Sequence, residues 1–178
     1  ALALPEAGGR IAYLGHSMAS DIVVRQALEA PPGDATVAVS LFSQAVTEDR
    51  PRNLLVVVGA WEGRLRDEAL RVLHLAAPEA EEGETVGDPA EGTGRRVVFA
   101  PGVEHVSVLY SPAALREIRA WLDATFDRRS EGPVAARGGW IALLLAAVVL
   151  LAWPLARALP EIGAPPPPAS ICIRTCEG

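Results

Sequence analysis

Four short apolar runs, each bounded by turn residues, constrain the fold of this chain more than any other feature: "RIAYLG" at 10–15, "ATVAVSLF" at 35–42, "NLLVVVGA" at 53–60 and "RRVVFAPG" at 95–102. A strand with one wet face alternates apolar and polar residues, whereas these runs are apolar almost throughout, as a strand covered on both faces must be. Between and after them lie helical patterns at 17–30, 64–77 and 111–126. The last opens with Ser111 in the N-cap position and Pro112 in the first turn, and it carries Leu115, Ile118, Leu122 and Phe126 along one side. Strand and helix in alternation predict an α/β layer architecture of about four mostly parallel strands with flanking helices.

A second feature belongs to a different environment. The 19 residues "GGWIALLLAAVVLLAWPLA" at 138–156 hold no charge, and Trp140 and Trp153 stand near the two ends, with Arg157 closing the run. That length crosses a bilayer core as a helix, and a small sheet offers no site for a segment apolar on every side. The expected organisation is therefore an α/β unit over 1–127, a linker over 128–138, a transmembrane helix over 139–159 and a Pro-rich tail over 160–178 built on "APPPPAS". Arg128, Arg129 and Arg137 precede the span and Arg157 and Arg174 follow it; the positive-inside rule then puts the α/β unit on the cytoplasmic side. The acidic, Gly-rich stretch "AEEGETVGDPAEGTG" at 80–94 reads as a surface excursion.

Composition narrows the partners. All 16 basic residues are arginine, and with the abundant Ala, Gly and Pro this matches a GC-rich bacterial genome, hence an inner-membrane setting. The formal net charge of -6, with no basic cluster, argues against nucleic acid as a partner. Cys172 and Cys176 form a lone C-x-x-x-C that fits a disulfide, half a metal site or nothing; without a second ligand pair no role is assigned. No protein partner is indicated. The opening "ALALPEAGGR" reads as the tail of a helix, and the chain as a piece of something longer.

The chemistry centres on "GHSMA", Gly15 to Ala19, set between the first apolar run and the first helical pattern. It differs by one methyl, at Ala19, from G-x-S-x-G, in which a strand turns sharply into a helix and lifts a serine hydroxyl above the sheet edge. With this strand-before, helix-after context the chain resembles the α/β-hydrolase superfamily, particularly its esterase, dienelactone-hydrolase and serine-aminopeptidase-like branches. The resemblance implies the C-terminal half of that fold, with "RIAYLG" in the place of the fifth strand and an unpaired apolar edge on it.

The resemblance also implies the order nucleophile, acid, histidine, each after a successive strand. Ser17 is then the nucleophile, His105 in "PGVEHVSV" the general base, and Glu62 in "VVVGAWEG" the acid, with Asp67 as second choice. A serine hydroxyl is a weak nucleophile, so an imidazole must take its proton and later return it, and a carboxylate must fix the imidazole's tautomer. The backbone N–H of Met18 is the implied oxyanion donor, with a second from a loop upstream of this chain. His16 is expected to shape the elbow, His74 to pack or face solvent, and Glu104 to take no catalytic part. "SQAVTEDRPR" is too short for an inserted helical lid. The implied activity is a membrane-anchored serine hydrolase acting on an ester, thioester or amide of small-molecule type, without metal or organic cofactor. Acyl transfer by the same residues, and an inactive interaction module signalled by Ala19, are the alternatives.

Overall fold

The computed structural model describes residues 9–29, 33–135 and 137–159, and the chain divides into two compact units, Ala1–Gly138 and Gly139–Gly178. The expectations for the first residues, for "APPPPAS" and for Cys172 and Cys176 lie outside the described residues.

The first unit contains β1 (Ala12–His16), α1 (Met18–Leu28), β2 (Ala35–Val39), β3 (Leu54–Gly59), α2 (Gly63–Ala76), β4 (Thr85–Val86), β5 (Arg95–Ala100), a single 3-10 turn (Ser107–Tyr110) and α3 (Pro112–Phe126). One sheet runs in the order β1-β2-β3-β5-β4, parallel throughout except for β4, which pairs antiparallel with β5.

The continuous apolar runs follow from burial on both faces. All of β2 and β3 is buried, and successive residues serve opposite layers. Leu54, Val56 and Val58 pack with Val24 of α1 and Val72 and Leu73 of α2. Leu55 and Val57 pack with Ala114 and Trp121 of α3. The edge strand β1 has no second neighbour among the described residues, and its Leu14 is exposed.

Three strands stop short of the apolar runs that announced them. The run at 35–42 ends as strand at Val39 because Ser40 takes φ 52° and sends its N–H to the Val57 carbonyl. Leu41 remains fully buried, so the apolar pattern outlasts the strand. The run at 53–60 begins with Asn53 at φ 46°, outside the ladder, and the run at 95–102 ends in a turn at Pro101 and Gly102, the latter at φ 68°.

The acidic stretch at 80–94 is exposed over most of its length, but it also supplies β4, which the sequence reading missed because two residues leave no apolar run to detect. Asn53 ties this excursion down: its side-chain amide donates to the Asp34 and Pro89 carbonyls and its side-chain oxygen accepts from Gly94 N–H. Arg95, buried at the start of β5, donates to the carbonyls of Thr47 and Val72 and so fastens the 40–53 connection to α2. That connection runs as turns, bends and irregular chain.

Ser111 caps α3 as expected, accepting from the Ala114 N–H. Helix α4 (Gly138–Ala158) starts at the last residue of the first unit and otherwise lies in the second; it spans 21 residues, an 18-residue stretch of it has a mean hydropathy of 2.3, and none of its residues is buried. At 1.5 Å per residue such a helix is about 30 Å long, the thickness of a bilayer core, so by length and composition it can cross one. The Arg157 guanidinium lies 4.6 Å from the centroid of the Trp153 ring.

Candidate active site

The site is assembled at the C-terminal ends of β1, β2, β3 and β5, where a parallel sheet delivers all of its outgoing loops to one edge. Ser17 occupies the one-residue turn between β1 and α1 at φ 56° and ψ -123°. That conformation costs a non-glycine residue about 1–3 kcal/mol and persists only where the surroundings enforce it. Here the Ser17 N–H donates to the Val39 carbonyl at 2.9 Å, and the Ser17 carbonyl accepts from both the N–H (2.9 Å) and the Oγ–H (2.5 Å) of Ser20. Ser20 is fully buried, and its oxygen also accepts from the Phe42 N–H at 3.0 Å, which stitches the loop after β2 to the turn.

Gly15 is required by close approach. A Cβ at this position would stand 2.4 Å from the Ala19 carbonyl oxygen and 2.9 Å from Val23 Cγ2. The crowding is against the backbone of residue 19, not its methyl, and Ala19 itself is exposed, which explains why alanine is tolerated there. Gly15→Ala is expected to lower the stability of the unit by about 1–3 kcal/mol, the usual cost of overpacking, measured by chemical denaturation.

His105 stands on the loop between β5 and the 3-10 turn. Its Nε2 lies 2.8 Å from Ser17 Oγ and its Nδ1 lies 2.6 Å from Glu62 Oε1. An ionised carboxylate only accepts, so Nδ1 carries the hydrogen and Nε2 is left to accept the Ser17 Oγ–H. Glu62 sits at the N-cap of α2 with its side chain 4 % exposed, whereas the His105 side chain is 41 % exposed. The second carboxylate oxygen accepts from the Gly59 N–H at 2.6 Å and the Ser40 Oγ–H at 2.9 Å, so the buried charge is solvated by the protein. Gly59 has no room for a side chain: its Cβ would lie 2.6 Å from the Val103 carbonyl oxygen and 3.0 Å from Glu62 Oε2.

Two residues hold the loop that carries the imidazole. Glu104 accepts from the N–H groups of Val106 (2.9 Å) and Ser107 (2.8 Å), and these bonds keep its carboxyl below the ordinary value for glutamate. His16 Nε2 lies 2.8 Å from the His105 carbonyl oxygen, so His16 donates, with the two rings 4.8 Å apart at 41°. His16, expected to shape the elbow, bonds instead to the loop that carries His105. His74 bonds to the Ala80 carbonyl, away from the site. Asp67, the second candidate for the acid, is exposed on α2 while His105 Nδ1 faces Glu62.

The structure thus brings Ser17, His105 and Glu62 together, and it places Met18 as the first residue of α1, where the helix provides no acceptor for its N–H. Ser40 and Ser20 were missed. Only their places one and three residues past buried or strained positions connect them to the site, and the sequence does not mark these.

Two clefts meet at His105. One, of about 1000 Å³, includes Trp61, Leu65 and Phe42 in its wall, and the other, of about 630 Å³, includes Ser17, Met18 and Phe42. Among the described residues no cluster of three or more His, Cys, Asp or Glu is placed to hold a metal ion. No protein-family model, no curated protein and no solved structure matches this chain.

Proposed function

We propose that this chain carries the reacting residues of a membrane-anchored serine hydrolase of the α/β-hydrolase type, which cleaves an ester, thioester or amide through an acyl-enzyme. The observation that carries the reading is the continuous relay from Ser17 Oγ through His105 to the buried Glu62 carboxylate, built from three loops distant in the chain. A strained non-glycine turn at the hydroxyl-bearing residue supports it, since such strain concentrates at reacting groups.

In the proposed reaction Ser17 Oγ attacks the acyl carbon while its proton passes to His105 Nε2. The carbonyl π pair moves to oxygen, and the Met18 N–H faces the resulting oxyanion. Collapse expels the alcohol, thiol or amine, which takes the proton from His105. Water then attacks the acyl-serine, giving its proton to the same nitrogen, and the carboxylic acid leaves as Ser17 recovers its hydrogen. Throughout, Glu62 holds the Nδ1–H and stabilises the transient imidazolium. Anchoring rests on α4, and the arginines before it favour a cytoplasmic site.

The test is hydrolysis of 4-methylumbelliferyl butyrate by the full-length protein. Activity that disappears in Ser17→Ala supports the reading; activity that survives the substitution removes Ser17 from the role of nucleophile.

A further inference from the structure

The end of the first unit gives information about the substrate. Helix α3 begins after the 3-10 turn at the site edge and runs back across the sheet, finishing where β1 starts: Arg10 donates to the Thr125 carbonyl and lies 4.7 Å from the Phe126 ring centroid. A chain leaving there would depart from the edge opposite Ser17. It does not. Arg128 N–H bonds to the Asp123 carbonyl, Ser130 bonds to the Asp123 carboxylate through both its N–H (2.9 Å) and its Oγ–H (2.7 Å), and the Gly132 carbonyl accepts from Arg119. The partners step backwards along α3, and the return ends with Gly138 against Tyr110, whose Cβ lies 3.2 Å from where a Cβ on Gly138 would stand. Gly138 is the last residue of the unit. The chain therefore leaves the unit at the edge that carries Ser17 and His105, five residues past the latter in the position of Tyr110.

That edge is also apolar. Met18, Phe42, Trp61 and Val106 are 80 %, 65 %, 71 % and 58 % exposed, and Leu109 and Tyr110 continue the series to the exit point. Single exposed apolar residues are ordinary, but Met18, Phe42 and Trp61 line the two clefts that meet at His105, and Val106, Leu109 and Tyr110 follow His105 directly on its loop and the 3-10 turn. The charge around them is not that of an anion-binding surface: of the larger cleft's charged residues, the exposed Asp67 and Glu104 outweigh the exposed Arg64, and Arg71 is paired with Glu68.

Resting on the hydrolase reading above, we propose that the substrate is a long-chain acyl ester of an uncharged or zwitterionic lipid, taken directly from the bilayer that the chain enters after Gly138. Leu109 and Tyr110 lie at the membrane surface, and the cleft walled by Phe42, Leu65 and Trp61 receives the acyl chain as it leaves the lipid. Hydrolysis consumes one water and yields the fatty acid and the deacylated alcohol, with no other reactant.

The experiment compares two esters in full-length protein reconstituted into dioleoylphosphatidylcholine vesicles: 4-methylumbelliferyl oleate dissolved in the vesicle and 4-methylumbelliferyl butyrate in the surrounding water. The wild type is expected to turn over the oleate ester at least about 10-fold more efficiently. The double variant Leu109→Asn, Tyr110→Gln is expected to lose about 10-fold on the oleate ester and to stay within about twofold on the butyrate. The butyrate rate reports that the variant is folded. Equal rates of the variant and the wild type on the oleate ester, or equal losses on both esters, would overturn the proposal, including the case in which another part of the protein covers this rim. Butyrate turnover by the wild type without oleate turnover overturns the lipid substrate and leaves the serine hydrolase standing; turnover of neither removes both.

Discussion

His105→Ala is expected to lower kcat of the full-length protein on 4-methylumbelliferyl butyrate by roughly 10^4- to 10^6-fold, the loss seen when a serine hydrolase is deprived of its base. The cause is local. In the folded unit the only described side chain bonded to Ser17 Oγ is the imidazole, at 2.8 Å, so its removal leaves the hydroxyl to attack with its proton still in place. The fold should survive, because the side chain is 41 % exposed and its loop is held by other groups: the Glu104 carboxylate on Val106 and Ser107, and the Trp61 N–H on the Val103 carbonyl. An unchanged denaturation midpoint alongside the lost rate separates the chemical role from a structural one. A fall of less than about tenfold in kcat would mean that another group takes the proton.

Glu62→Gln is expected to cost about 10^4-fold in kcat with little change in KM, although it preserves size and shape. The carboxylate accepts three hydrogen bonds in fixed directions: Oε1 from His105 Nδ1–H, Oε2 from Gly59 N–H and Ser40 Oγ–H. An amide has only one oxygen to offer. Turned toward Gly59, that oxygen leaves the NH2 facing His105, and the imidazole can accept only by moving its hydrogen to Nε2, where it blocks proton transfer from Ser17. Turned toward His105, the oxygen leaves the NH2 against the Gly59 N–H, two donors in a pocket where the side chain is 4 % exposed. Either orientation also removes the negative charge opposite the imidazolium. Full activity in Glu62→Gln would show that Glu62 does not orient the base and would return Asp67 to consideration.

How much of this could be read from the sequence depends on how local the cause was. The layer architecture was legible because burial on both faces writes itself into every residue of β2 and β3. The elbow was legible because close approach demands glycine at 15, a requirement met within four residues of chain. The pairing of Ser17 with His105 and Glu62 came from a resemblance in the order of residues, which the geometry of the three loops is consistent with. What stayed hidden is the network around them. Ser40, Ser20 and His16 act through hydrogen bonds to residues 22, 22 and 89 positions away, and a serine or histidine in a loop carries no mark of such a partner. The strand limits at Ser40 and Asn53 escaped for a related reason, since positive φ in a non-glycine residue is imposed by tertiary contacts rather than by its own preference. The two-residue β4 is too short to carry a periodic pattern. The fold of α4 was written in composition alone, as membrane-length helices are.

In the proposed reaction the Ser17 hydroxyl becomes the covalent attachment point of the substrate. Treating the full-length protein with a fluorophosphonate and weighing its proteolytic peptides tests this directly. One adduct is expected, on the peptide containing Ser17, formed with the wild type and not with His105→Ala. No adduct, or an adduct on a different side chain while Ser17 stays unmodified, would contradict it.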